Sequence, residues 1–460
     1  MQVEFNAELL QRYDKSGPRY TSYPPANHFH GKFDQQTYRQ QAIQSNRSHL
    51  AAPLSLYMHI PFCDRVCFYC ACNKIVTKDH TKADTYLEYL YKEISLQAEL
   101  FDVDRKVNQL HWGGGTPTFL NQQQMATLMA KTRLYFNLHD NDEGEYSIEI
   151  DPRAASPATI HFLREIGFNR LSLGVQDFEP AVQKAVNRIQ TIEQTQAVLE
   201  AAREARFKSI SLDLIYGLPK QDVESFSRTL DIVIQMLPDR LSVFNYAHMP
   251  TQFKPQRRIN SEELPTAVEK LQILQLIIER LTAAGYVYIG MDHFARPEDE
   301  LNKAQENGAL YRNFQGYSTH ADCDLVAMGV TGIGQIGNSY SQNVKTLDDY
   351  YEYLDNNQLA VFRGIELTDD DQIRRHVINR LMCDFSISWK ELGQRFEIDA
   401  KDYFDKELQE LTTMQQDGLI DMTDQELIVK PVGRLLIRNI CMEFDRYLSS
   451  ESTNTYSKVI

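Results

Sequence analysis

Between residues 54 and 246 short β-rich runs alternate with longer helix-like stretches, and no other feature constrains the fold as much. The runs are Leu54–Ile60, Gln109–Trp112, Tyr146–Ile150, Arg170–Val175, Ser209–Ile215 and Arg240–Tyr246. Asp79–Leu100, Gln122–Phe136, Pro157–Gly167, Ile192–Arg206 and Val223–Leu237 separate them. Parallel neighbours need a long crossover, usually a helix, so this rhythm implies βα units in a parallel sheet. Six units are too few for an eight-stranded barrel. A partial barrel or an open sheet is expected.

Polar residues stand at or near the end of each run. The first run leads to a cysteine-rich loop and the second to Gly113-Gly114-Gly115-Thr116-Pro117. The third contains Glu149 and precedes Asp151, the fourth leads to Gln176-Asp177, the fifth carries Asp213, and the sixth leads to Ala247-His248. Parallel α/β sheets carry their sites at the carboxyl ends of the strands, so these residues should gather at one rim.

The cysteine loop reads Cys63-Asp-Arg-Val-Cys67-Phe-Tyr-Cys70-Ala-Cys72-Asn73-Lys74. Zinc sites draw thiols from two separated pairs, whereas here three crowd one short loop and no second pair follows. Three thiolates on one loop suit a [4Fe–4S] cluster with one iron free of protein ligands. That reading leaves Cys72 unligated; a structural zinc site is the alternative. Cys323, Cys383 and Cys441 lie far apart and read as ordinary thiols of a reducing compartment.

Lys and Arg total 48 against 63 Asp and Glu, a net charge of −15. This argues against an extended nucleic-acid or anionic-membrane surface. The N-terminus has neither a basic start nor an apolar stretch, so no secretory signal is expected. No apolar run is long enough to span a bilayer.

Residues 1–50 are polar, with a turn-rich stretch Ser16–Pro25, and are expected to form an arm with little regular structure. Residues 261–285 look like one long helix, and 286–365 are mixed. Beyond about 368 three helices and two short strands suggest a small winged-helix-like domain. The organisation expected is an arm (1–50), a catalytic domain (51–365) and a C-terminal, mainly helical domain (366–460).

Other motifs leave alternatives open. Gly113–Gly115 could let a backbone approach a ligand, or mark a tight turn. Gly329–Gly337 reads as loop packing. Glu149 and Asp213 lie in apolar strands, and an unpaired buried carboxylate is costly, so each should bond a ligand or an arginine. His59 is either a packing residue or part of the rim. Arg188, taken alone, reads as a surface charge.

Together these motifs resemble the radical S-adenosylmethionine superfamily and, within it, the oxygen-independent coproporphyrinogen III oxidases. The similarity includes Ser-Gly-Pro-Arg-Tyr-Thr-Ser-Tyr-Pro from Ser16, His-Trp-Gly-Gly-Gly-Thr-Pro-Thr from His111 and Gly-Val-Gln-Asp-Phe from Gly174. It continues through Asp-Leu-Ile-Tyr-Gly-Leu-Pro from Asp213, Arg-Asn-Phe-Gln-Gly-Tyr from Arg312 and Gly-Arg-Leu-Leu-Ile-Arg-Asn-Ile-Cys-Met from Gly433. The resemblance implies an α/β fold, a partial (β/α)6 barrel, with Cys63, Cys67 and Cys70 holding the cluster.

It implies two S-adenosylmethionine molecules as well. The first would meet Tyr57, Gly114, Glu149 and Ile333. The second would meet Tyr69, Ala71, Gly115, Thr116, Gln176, Arg188, Asp213 and Ala247. Position 71 is often Gly in such chains and is Ala here. The implied reaction converts two propionates of coproporphyrinogen III to vinyl groups, giving protoporphyrinogen IX, through a 5′-deoxyadenosyl radical. An unidentified electron donor and acceptor, a cytoplasmic location and a monomer go with that reading. A related haem chaperone without decarboxylase activity is the alternative. The substrate carries four carboxylates while the chain is acidic, so a local basic surface is expected, with Arg19, Lys74 and Arg188 as candidates.

Overall fold

The computed structural model describes residues 3–47, 52–320, 323–448 and 456. Six strands, β1 (Leu54–Ile60), β2 (Lys106–Gly114), β3 (Glu145–Ile150), β4 (Arg170–Gln176), β5 (Ser209–Tyr216) and β6 (Arg240–Asn245), lie side by side and parallel in chain order. Helices α1 (Thr81–Ala98), α2 (Gln122–Tyr135), α3 (Pro157–Glu165), α4 (Ile192–Glu204) and α5 (Val223–Met236) provide the crossovers. The result is the expected partial barrel.

Alternation along the strands decides which side chains enter the bore. Tyr146, Ile148, Leu171, Leu173, Leu212 and Leu214 are buried in the core. Ser147, Glu149, Ser172 and Asp213 occupy the opposite register. Helix starts are set locally. Asn121 with Gln124, Thr191 with Gln194 and Asp222 with Ser225 form capping boxes that satisfy backbone N–H groups at the first turns of α2, α4 and α5.

The sheet is larger than the βα rhythm alone predicts. After α6 (Ala267–Ala283) come the short antiparallel strands β7 (Val287–Gly290) and β8 (His293–Ala295), the latter pairing with β6. On the other edge β9 (Asp324–Met328) is a seventh parallel strand, beside β1. Its Asp324 is buried and ion-paired with Arg105 at 2.6 Å. Strands β10 (Ile333–Ile336), β11 (Ser339–Asn343) and β12 (Val361–Glu366) extend that edge antiparallel. Glu93 of α1, fully buried, pins the Gly329 turn by accepting its N–H at 2.7 Å, with Asn343 and Tyr350 as further donors.

The C-terminal region opens with α7 (Asp369–Asp384). A three-stranded sheet of Ser386–Ser388, Glu426–Val429 and Ile420–Met422 comes next, with short helices between its strands. The first of these strands and the closing helix α8 (Ile437–Glu443) were not anticipated.

The arm differs from expectation. Ser16–Pro25 is irregular, but Ala7–Arg12 and Gln35–Ser45 are helices with Asn6 and Asp34 as N-caps. Leu10, Tyr20, Tyr23, Phe33 and Tyr38 are buried in the main core, which is why polar composition misleads there. Arg438 of α8 donates to the carbonyls of Gly17 and, at 3.0 Å, Pro18, so the arm is bound to the end of the chain. Residues 1, 2 and 48–50 of the expected arm lie outside the described residues, as does the tail beyond 448 apart from Tyr456. Among the described residues no helix is long and apolar enough to cross a membrane.

Candidate active site

β1 ends in Ile60, and Pro61-Phe62 carries the chain into the cysteine loop. The glycine turn after β2 passes directly beneath. Gly115 N–H donates to the Ile60 carbonyl and Thr116 N–H to the Phe62 carbonyl, each at 2.8 Å. A Cβ on Gly115 would lie 2.6 Å from the Phe62 oxygen, and one on Gly114, at φ +111°, would lie 2.4 Å from the His59 ring. Only glycine permits this approach, so the turn is a seat for the loop.

Cys63, Cys67, Cys70, Tyr69, Gly115, Thr116, Gln176, Arg188 and Asp213 all line one cavity of about 170 Å³ at the rim. Among the described residues no three thiol, imidazole or carboxylate groups gather tightly enough to chelate a single metal ion. A tetrahedral zinc needs sulfurs about 3.8 Å apart. Cys63, Cys67 and Cys70 all face one cavity, as ligands of a shared multi-iron group must. Thr116 Oγ1 donates to Cys63 Sγ at 3.5 Å; Arg153 and Arg188 each donate to Cys67 Sγ at 3.5 Å. Burial pushes the Cys63 thiol up to about 11, against the pull of the Thr116 bond. Cys70 moves the other way, because the Cys72 thiol donates to it and Lys74 lies beside it. Lys74 Nζ also reaches the Cys70 and Cys72 carbonyls at 3.3 and 3.4 Å.

Asp151 organises the far wall. Arg153 bonds it at 2.7 Å and Arg188 at 3.1 Å. Arg188 is 6% exposed and also donates to the Gly174 carbonyl. Two buried donors, Arg153 Nη1 and Arg188 Nε, meet no acceptor. Gln176, at the end of β4, sits at φ 69°, a strained setting for a non-glycine residue and common at functional sites. Asp213 accepts from Ser172 Oγ at 2.8 Å, and burial lifts its carboxyl to about 6.

A second cavity, about 730 Å³, adjoins the first through Gly114, Glu149 and Cys72. Tyr57, Ile333 and Ala71 line it, so the first implied set is brought together there, joined by Ala71 from the second. Glu149 accepts Gly114 N–H at 3.0 Å and contacts His111 Nε2 at 3.3 Å. Burial raises its carboxyl, but the His111 bond and charge and the Gly114 bond outweigh burial and keep it ionised. Tyr57 stacks on His111 at 5.8 Å and reaches His59 Nδ1 at 3.1 Å, while His59 Nε2 contacts the Asn73 carbonyl at 3.0 Å. His59 is thus a buried strut beneath the loop. Ala247 lies apart, on a third cavity of about 290 Å³ with Arg19 and His248.

Sequence reasoning missed Arg153 and Gln256. Gln256 Nε2 bridges the Tyr69 and Ala247 carbonyls at 3.0 and 3.2 Å, linking the cysteine loop to the end of β6. The Asp151-Pro-Arg153 run after β3 could have revealed the first. No local signal marks the second, which sits in the turn Lys254–Arg258.

The donor set fits an iron–sulfur cluster with S-adenosylmethionine. Thiols surround a void, buried N–H groups await acceptors, and a glycine cradle admits a close-lying ligand. Known proteins agree. The radical SAM superfamily model matches residues 57–233, and that of the HemN C-terminal domain matches 367–436. Oxygen-independent coproporphyrinogen III oxidase of Pseudomonas aeruginosa is 52% identical over 100% of this chain and 99% of its own length. The Escherichia coli protein of that name is 50% identical over 100% and 99%. A solved structure described as coproporphyrinogen III oxidase (HemN) from Escherichia coli, a radical SAM enzyme, superposes with a TM-score of 0.92 at 49% identity, covering 97% of this chain and 100% of that one. With barrel, cysteine loop and full-length identity in agreement, the chain belongs to the family of oxygen-independent coproporphyrinogen III oxidases within the radical SAM superfamily.

Proposed function

We propose that the protein carries out the oxygen-independent oxidation of coproporphyrinogen III, converting two propionates to vinyl groups to give protoporphyrinogen IX. End-to-end identity with enzymes of that name carries this reading. Each propionate gives up CO2, one hydrogen from its β-carbon and one further electron. When bound, the cluster and S-adenosylmethionine supply the one-electron chemistry that creates a hydrogen-abstracting radical.

Cys63, Cys67 and Cys70 hold the cluster, and Cys72 does not. Thr116, Arg153 and Arg188 donate toward ligand sulfurs, and hydrogen bonds to sulfur raise a cluster's potential. Tyr57, Gly114, Glu149 and Ile333 hold one S-adenosylmethionine. Tyr69, Ala71, Gly115, Thr116, Gln176, Arg188, Asp213 and Ala247 hold a second. Gly114 and Glu149 bordering both rim cavities supports adjacent ligands, while Ala71 lines the larger of them and Ala247 a third cavity. Ionised Glu149 suits an ammonium group, and the unpaired donors of Arg153 and Arg188 suit a carboxylate.

We divide the chain into an arm (1–50), a catalytic domain (51–365) and a C-terminal domain (366–460). We also take the protein to be a cytoplasmic monomer served by a separate electron donor and acceptor. The wide sequence separation of Cys323, Cys383 and Cys441 supports a reducing compartment.

The test is anaerobic reconstitution with iron and sulfide, reduction, and incubation with S-adenosylmethionine and coproporphyrinogen III. Protoporphyrinogen IX with two CO2 per substrate is expected. Cleavage of S-adenosylmethionine with no change in the tetrapyrrole would reject the reading.

A further inference from the structure

We propose that Arg312 receives a propionate carboxylate of the tetrapyrrole, as part of a cationic cluster with Arg19 and Arg438 beside the rim cavities. The proposal deepens the functional reading above and rests on it.

Arg312 lies on a short hairpin, Tyr311–Asn313 with Gly316–Ser318, and is 5% exposed. Its Nε and Nη1 are buried and meet no acceptor. Among the described residues it has no carboxylate partner, and its guanidinium lies 4.9 Å from the Tyr317 ring. Other buried arginines of the barrel do have partners. Arg105 pairs with Asp324, Arg170 with Glu145, Arg188 with Asp151 and Arg240 with Asp299. A buried, unpaired guanidinium destabilises a fold unless something anionic arrives.

Its surroundings are cationic. The His293 ring meets Tyr317 at 5.1 Å and Phe244 at 5.9 Å, and the Arg19 guanidinium lies 5.9 Å from the Phe244 ring. Burial and then the charges of Arg312, Arg19 and Arg240 keep the His293 imidazole neutral. Burial and the charges of Arg19 and Arg312 push Arg438 down to about 9, although Asp292 opposes them. Asp292 is the local carboxylate, and it already pairs with Arg19. The cluster is therefore a pool of positive charge inside a chain of net charge −15.

Its position suits a large anionic substrate. The hairpin tip, Phe314-Gln315, lines the 730 Å³ cavity shared with Glu149. Arg19, Asp292 and Arg438 line the 290 Å³ cavity, where Leu274, Ile277 and Phe294 offer apolar wall. Asn245 Oδ1, on that same cavity and without a donor, is placed to accept a pyrrole N–H.

The test titrates cluster-loaded wild type and Arg312→Met with coproporphyrin III, the oxidised and unreactive tetracarboxylate, and with its tetramethyl ester. Arg312→Met should weaken binding of the acid by at least about tenfold, the scale of one lost charge-assisted hydrogen bond. Ester binding and iron content should not change, and KM for coproporphyrinogen III should rise. Arg312→Lys should recover part of the affinity. The Met variant should melt no lower than wild type, since it removes an unpaired buried charge. Equal affinity for the acid, an equal loss for the ester, or loss of iron or melting temperature would each overturn the assignment. Wild type that makes no vinyl product would reject the function itself. Wild type that turns over beside an Arg312→Met variant of full affinity would reject only this subsite.

Discussion

The two ends of the barrel bore use the same residue types to opposite effect. At the amino-terminal end Arg170 lies 3.5 Å from Glu145 and also bonds Glu300, while Arg240 Nε takes both oxygens of Asp299 at 2.9 Å. Two guanidiniums there face three carboxylates. At the carboxyl-terminal rim Arg153 and Arg188 share the single carboxylate of Asp151 and turn their remaining donors toward Cys67 and the cavity. Charges that close on one another hold the sheet together. Charges left in surplus mark where an anion, such as a thiolate-bound cluster, belongs.

Cys67→Ala should break the rim alone and has the largest expected effect. Iron content and turnover should fall to background while the secondary structure seen by circular dichroism is kept. The mirror experiment is Arg170→Ala, which leaves Glu145 buried beside a missing partner. It should cost about 3–5 kcal/mol in denaturant unfolding, with iron content preserved in whatever protein remains folded. Loss of cluster in that variant at full stability would erase the contrast between the ends.

Asp213 sharpens the comparison through pH. Burial lifts its carboxyl from 3.8 to about 6. An acid held above its unfolded value weakens the fold as pH rises through that window and has no effect below it. Asp213→Asn should therefore match wild type near about pH 3.5 and exceed it by up to roughly 3 kcal/mol above about pH 7, measured by chemical unfolding of cluster-free protein. A constant difference across pH would show that the carboxyl does not titrate with folding. The smallest effect is expected from Cys72→Ser. Iron and sulfide per chain should stay the same, and a clear loss would make Cys72 a ligand.

The strands were legible because each keeps its apolar residues on one side of a period of two, as in Tyr146, Ile148 and Ile150. The rim was legible with them, since polar residues at strand ends leave few other places to go. β9 was not legible. Its run, Asp324–Met328, is wholly buried and comes after no crossover helix of the repeating kind. The arm's helices were hidden by polar composition, the first burying only Leu10 and the second only Tyr38 and Ala42, too few to show a helical stripe. Arg188 taken alone read as a surface charge and only the family resemblance raised it, because an arginine's fate depends on partners far away in sequence, here Asp151 and Cys67. Arg312 stood in a quoted motif but was given no role for the same reason, its short hairpin having too few residues to reveal a strand period.

The bond between Arg438 and the Gly17 carbonyl spans 421 residues of sequence. With Tyr20 bonded to Asp445 and Asn439 to the Tyr13 carbonyl, it buckles the first segment of the chain to the last. The opening made of Ser16 and Arg19 is thus completed only once the final helix exists. A substitution in α8, or a stop that removes it, acts on the mouth of that cavity and not on a remote appendage.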